Sequence, residues 1–219
     1  MLNIQKFVFN AFQENTYVVD GNGKACIIID PGAHTPAEKE KLVEAIGLMK
    51  PVAVLLTHAH LDHIMAVAFL QQKYGLKVYL HPADKDVPKH LGGQIPGMVD
   101  LGYETTDIAE GQVLDFPEAA LECKVIHTPG HSPGGVCYWF ESEDTIFTGD
   151  TLFRGTIGRS DLYGGEYDDL IRSVMDKIMG LPGKTEVLPG HAGSTSISEE
   201  RTENPFLQPF NEPEEDQQL

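Results

Sequence analysis

The sequence predicts a layered α/β fold around one core. Three observations lead there. Short apolar and β-branched runs recur along the chain, bounded by Gly, Pro and Asp. Stretches of helical periodicity lie between them. The 219 residues suffice for one domain with a large core and are too few for two comfortable ones. The expected unit is a single domain, 1–219, whose last stretch, 205–219, ends in the acidic "NEPEEDQQL" and reads as a flexible tail.

The first thirty residues read as a β-meander of "KFVFNAF" (6–12), "NTYVVD" (15–20) and "ACIIID" (25–30), with "DGNG" (20–23) as a hairpin turn. Thr35 then offers an N-cap, with Pro36 at the first helical position and Glu38 three residues on from the cap. That capping box predicts a helix to about Lys50. "PVAVLL" (51–56) is a buried strand, "IMAVAFLQQKYG" (64–75) a helix closing at Gly75, and "KVYLH" (77–81) the next strand. Residues 82–112 are rich in Pro, Gly and Asp and read as loop with one short helix. "ECKVIH" (122–127), "GVCYWF" (135–140), "DTIFT" (144–148) and "EVLP" (186–189) are strands. "EYDDLIRSVMDKIMG" (166–180) is an amphipathic helix. Its stripe of Leu170, Ile171, Val174, Met175, Ile178 and Met179 suits a core-facing role.

Composition narrows the function. The net charge of −17 would repel a polyanion, which argues against nucleic-acid binding. Three cysteines with no C-x-x-C argue for a reducing compartment and against a disulfide framework. The N-terminus "MLNIQKFVFNAF" lacks an apolar signal core, and no run has the length of a membrane span. The expected location is the cytoplasm, without membrane attachment.

The strand "PVAVLL" ends in Thr57, His58, Ala59, His60, Leu61, Asp62 and His63. Three more strands end similarly: "VIHTPGH" delivers His131, "IFTGD" Asp150 and "VLPGH" His191. In open α/β sheets, ligands bind outside the carboxyl ends of strands. Imidazoles and carboxylates without a cysteine suit Zn²⁺, Fe²⁺ or Mn²⁺. Seven such groups exceed one tetrahedral ion and suit two ions sharing a carboxylate. His58 and His60 point the same way in an extended segment and can hold one ion. Asp62 and His63 fall at the start of the next helix and can face another.

Together "THAHLDH", "TPGHSPGG", "TGDTLF" and "LPGH" resemble the metallo-β-lactamase superfamily. That resemblance implies a four-layer αββα sandwich with a dinuclear site between its sheets. It assigns His58, His60 and His131 to one metal, Asp62, His63 and His191 to the other, and Asp150 to the bridge. "GDTLFRGTIGRSDLYGG" and "HAGSTSISEERTENPFL" look most like small hydrolases of the glyoxalase II type. β-Lactamases often carry Cys where this chain has Asp150. The implied activity is thioester hydrolysis. Two divalent ions, Zn with Fe or Mn as alternatives, lower the pKa of a shared water from 15.7 towards about 7. The resulting hydroxide, oriented by Asp62, attacks the carbonyl of a small-molecule substrate. A thiol of pKa about 8.5 leaves without a strong general acid.

Glyoxalase II enzymes carry a basic residue nine positions past the bridging Asp, and here that is Arg159. It is the candidate substrate-binding residue; its alternative is a salt bridge to Asp161 or Asp169. The Tyr expected two residues later is Asp161, a departure that weakens glutathione as the thiol. Two other readings remain: a persulfide dioxygenase, with one Fe²⁺ on a His₂-carboxylate site, and a non-catalytic metal-binding protein. His81 and His90 read as surface residues or supports of the ligands, His127 as a support, and His34 has no assigned role.

Overall fold

The computed structural model describes residues 2–91 and 102–208. The first sheet holds β1 (Asn3–Phe9), β2 (Glu14–Asp20), β3 (Ala25–Ile29), β4 (Lys50–Leu55), β5 (Lys77–Leu80) and β6 (Thr106–Asp107), side by side in chain order. β1 to β3 are the antiparallel meander the sequence predicts, and β3 to β6 are parallel. The second sheet holds β7 (Val113–Phe116), β8 (Leu121–His127), β9 (Val136–Phe140), β10 (Thr145–Gly149), β13 (Glu186–Pro189) and β14 (Thr195–Ser196). β7 to β10 run antiparallel, and β13 joins β10 in parallel. A hairpin of β11 (Leu152–Phe153) and β12 (Thr156–Ile157) lies between β10 and β13 in the chain. The helices are α1 (Pro36–Ile46), α2 (Leu61–Ile64), α3 (Val67–Tyr74), α4 (Val87–Leu91), α5 (Tyr167–Arg172) and α6 (Ile197–Glu203).

Alternation along the strands builds four layers. In β3, Ile27 and Ile29 face the second sheet and join Tyr17, Leu55, Val125, Tyr138 and Phe147 in the central core. Cys26 and Ile28 face the other way, onto Leu42 and Ile46 of α1 and Val67 and Leu70 of α3. In the second sheet, Ile126, Cys137, Ile146 and Val187 turn outward onto Leu170 and Val174 of the α5 region. The strand "ACIII" has no polar alternation because both its faces are covered. The result is the αββα sandwich.

Local departures have identifiable causes. α1 stops at Ile46 rather than near Lys50, because Gly47 takes φ 58° and Lys50 already pairs in β4. Its N-terminus carries the predicted capping box. The helix expected over 64–75 is two pieces. α2 starts earlier, at Leu61, and α3 ends on Gly75 in the left-handed conformation. The Ala66 amide, between them, donates to Pro31 O instead of an α2 carbonyl. The helix expected over 166–180 is α-helical only to Arg172; Ser173–Ile178 is π-helical, with Met179 N bonding Val174 O. Its apolar stripe still faces the core. The stretch 82–112 contains α4 and β6, and its residues 92–101 lie outside those described. Most of the expected tail also lies outside them, and Leu207 near its start is buried with the α5 cluster. Among the described residues no helix is long and apolar enough to cross a membrane.

α5 is held against the loop after β8. Ser173 Oγ donates to Pro129 O, and Glu166 N donates to Gly130 O. Gly130 has φ 130°, and a Cβ there would lie 2.2 Å from Leu170 N. Gly130→Ala should therefore lower the melting temperature by about 5–10 °C, as roughly 2–3 kcal/mol of overpacking would in a domain of this size. Calorimetry checks this, and an unchanged melting temperature would contradict so close an approach.

Candidate metal centre

All seven candidate ligands converge at the carboxyl ends of the strands, between the sheets. His58 and His60 follow β4, with His60 in extended backbone at the N-cap of α2. Asp62 and His63 sit in the first turn of α2. His131 follows β8, Asp150 directly follows β10, and His191 follows β13. Gly190 permits the last approach: a Cβ there would lie 2.4 Å from Asp150 Oδ1 and 2.6 Å from His63 Cε1.

Two clusters result. His58, His60 and His131 each offer a ring nitrogen, and Asp62, His63 and His191 form a second group; within each, the ligand atoms lie within 4.8 Å of one another. Asp150 lies between them. Its Oδ1 is 3.4 Å from His63 Nε2, and its Oδ2 is 3.4 Å from His131 Nε2 and 3.5 Å from His191 Nε2. Asp62 Oδ2 is 3.2 Å from His191 Nε2. Asp30, His58 and His63 form a third possible group. The Asp30 carboxylate, however, already accepts Thr57 N at 2.7 Å and Thr57 Oγ1 at 2.6 Å.

The unsatisfied atoms test the fit of a metal. Nε2 of His58, His60 and His131 and Oδ1 of Asp150 are buried without a hydrogen-bond partner. A buried polar atom left unpaired costs about 1–3 kcal/mol, so four in one place call for an occupant. The opposite ring nitrogens of His58 and His131, and that of His63, are engaged. Nδ1 of His58 meets Thr57 Oγ1 at 3.0 Å, Nδ1 of His63 meets Asp30 Oδ2 at 3.1 Å, and Nδ1 of His131 meets Arg159 O at 2.7 Å. Such bonds fix ring orientation and leave Nε2 as the ligand atom. The residues fit divalent ions.

Protonation agrees. Burial, with charge on His63 and His60, holds His58 well below the usual histidine range. Burial and His131 push His60 down to about 3. Both are neutral ligands at pH 7. For Asp150, burial favours the acid, but His63, His131 and His58 outweigh it and hold the carboxyl far below its usual range. Burial opposes protonation of His63, yet Asp62, Asp150 and Asp30 outweigh it and raise it well above the ordinary value. His191 is raised too, by Asp62 and Asp150 against burial.

Several supports had no role in the sequence reading. The buried carboxylate of Asp84 accepts Ala59 N and Ser132 Oγ, each at 2.9 Å, and also Gly134 N. It ties the loop of His58 and His60 to that of His131. Asp30 links Thr57 to His63. Asn15 Nδ2 and Tyr17 Oη both donate to Pro189 O, just before His191. Asp30 at the end of "IIID" carried a signal, a carboxylate closing a fully apolar strand. "HPAD" carried none for Asp84. His127 does brace the His131 loop, through its Nε2 at 3.0 Å from Pro133 O, and it stacks on His81. His90 stacks on Tyr163, and His34 stays exposed by the α1 cap.

A cavity of about 370 Å³ opens beside the centre. Phe12, Leu61, Leu91 and Leu162 give it an apolar wall; His60, Asp62, His131, Asp150 and His191 line its base, and Arg159 its side. The Arg159 fork is paired with Asp161, while Asp169 pairs with Arg172.

A family model described as the metallo-beta-lactamase superfamily matches residues 9–191, and the chain belongs to that superfamily. It is 32% identical over 217 residues to a protein named hydroxyacylglutathione hydrolase GloC from Haemophilus influenzae, covering 94% of this chain and 98% of that one. It superposes on the solved BLEG-1 B3 metallo-beta-lactamase with a TM-score of 0.82 at 34% identity, covering 94% of this chain and 99% of the other. For the TTHA1623 structure in a di-iron-bound form the TM-score is 0.81 at 36% identity, covering 93% of this chain and all of the other.

Two outcomes follow from this geometry. His63 Nε2 and His191 Nε2 meet at 3.3 Å, and both groups are raised above the ordinary histidine range, so metal taking these atoms must displace the proton held there. Loading metal-free protein at pH 7 should therefore release about one to two protons per chain. Titration calorimetry in buffers of different ionisation enthalpy measures this, and proton uptake would contradict it. Asp84→Ala strands three donors and should cost about 3–5 kcal/mol of stability. It should also weaken metal at the His58, His60 and His131 group more than at the other, and equal metal affinity at both would count against the tie.

Proposed function

We propose that the protein is a dinuclear metal-dependent hydrolase of thioesters. His58, His60 and His131 hold one ion, Asp62, His63 and His191 the other, and Asp150 is shared. Zinc suits this nitrogen and oxygen donor set, with iron or manganese as alternatives. When bound, the ions supply a water acidic enough to ionise near neutral pH and a Lewis acid for the carbonyl.

One observation carries the thioester reading. Apart from the proposed ligands, the only ionisable group among the described residues lining the cavity is Arg159, which stays charged. Among the described residues, no lining side chain is left to protonate an amide nitrogen as it leaves. A thiolate, with a parent thiol pKa near 8.5, needs no such acid. Asp62, partly exposed at the cavity base, orients the attacking oxygen. The apolar wall takes the carbon skeleton of the substrate, and Arg159 faces its polar end. The similarity to a protein named as a hydroxyacylglutathione hydrolase supports the same class.

Metal-loaded protein should release thiol from acyl thioesters and lose that activity on chelation, with about two divalent ions per chain. Asp150→Ala should lose metal from both groups, whereas His191→Ala should chiefly weaken the second. Thiol release, elemental analysis and oxygen uptake form one test. One firmly held iron with oxygen uptake on glutathione persulfide would replace the hydrolase with a dioxygenase. Cleavage of a β-lactam without thioester turnover would replace the substrate class.

A further inference from the structure

We infer that Asp161 determines specificity: by filling the fork of Arg159 it turns the cavity away from anionic thioesters and towards uncharged, apolar ones. This rests on the thioester reading above. Arg159 Nε donates to Asp161 Oδ1 at 2.7 Å, and Nη2 to Oδ2 at 2.8 Å. That two-point pairing is the one a guanidinium would offer a substrate carboxylate. Arg159 is the only Lys or Arg lining the cavity among the described residues. Apart from the metal centre itself, its fork is thus the one cationic group among the described lining residues that could hold a substrate carboxylate, and Asp161 already occupies it.

Position makes the occupation persistent. Arg159 O is anchored on His131 Nδ1, so the segment leading to Asp161 is tied to the metal centre. Leu162, next in the chain, forms part of the apolar wall. An incoming carboxylate must displace one tethered two residues away, at high effective concentration. It also meets the displaced negative charge. An apolar group meets Phe12, Leu61, Leu91 and Leu162 and leaves the pair intact. Arg159 and Asp161 are 61% and 69% exposed, so the pair can exchange and the effect is modest. A neutral thiol or acyl group is favoured over glutathione, which carries two carboxylates.

The test compares two thioesters of equal length, one ending in a carboxylate and the other in its methyl ester, on metal-loaded protein. Asp161→Asn should raise the ratio of kcat/KM, anionic over neutral, by about fivefold. In Arg159→Ala/Asp161→Asn that gain should vanish. An unchanged ratio in the single variant overturns the inference, and so does a gain that survives without Arg159. The Kd of S-hexylglutathione, an anionic thioether that cannot be hydrolysed, should fall by a similar factor in Asp161→Asn. A tighter Kd with no thioester turnover in any variant removes the hydrolase reading and keeps the role of Asp161. Turnover with an unchanged ratio and Kd removes the role and keeps the hydrolase.

Discussion

The rest of the structure depends on holding three imidazole Nε2 atoms and a carboxylate oxygen, all buried and unbonded, within reach of one another. Left unpaired, such atoms cost stability. The fold holds His58 and His131 there, and His63 beside them, by hydrogen bonds on the far side of each of those three rings. Thr57, Asp30 and Arg159 O take the Nδ1 atoms of His58, His63 and His131. Both sheets, each with an apolar core on its two faces, supply the rigidity that keeps these bonds in register.

Much of this was legible from the chain. The strands carry their ligands directly past their ends, so a buried run followed by His or Asp gives both element and ligand in one reading. The capping box at Thr35 and the stripe from Leu170 to Met179 were equally local. What failed to show was the continuation of helices. The end of α1 depends on where β4 pairs with β3, and the Ala66 break on Pro31, both contacts distant in sequence. The π-helical turn at Ser173–Ile178 keeps the same apolar residues inward, so periodicity could not reveal it.

The supporting residues divide the same way. Asp30 ends a strand and is visible as an odd residue in an apolar run. Asp84 lies in an ordinary-looking turn, and its work is done on Ala59, Ser132 and Gly134, as many as 50 residues away. Burial raises its carboxyl above the usual range, and its three hydrogen bonds only partly offset that. Nothing in its neighbours along the chain foretells either fact. The pairing of Arg159 with Asp161 was one of two alternatives in the sequence, because a bidentate bridge two residues away is a short-range possibility.

The bond from Arg159 O to His131 Nδ1 joins two kinds of constraint in one residue. The main chain at 159 serves the metal centre, while its side chain faces the cavity. Replacing the side chain leaves the carbonyl where it is. Adding or removing a residue between Asp150 and Arg159 would misplace it. Divergence at position 159 is therefore free in its side chain and restricted in spacing: descendants of such a chain can explore new substrates by substitution there, but an insertion in this segment puts a ligand histidine out of line.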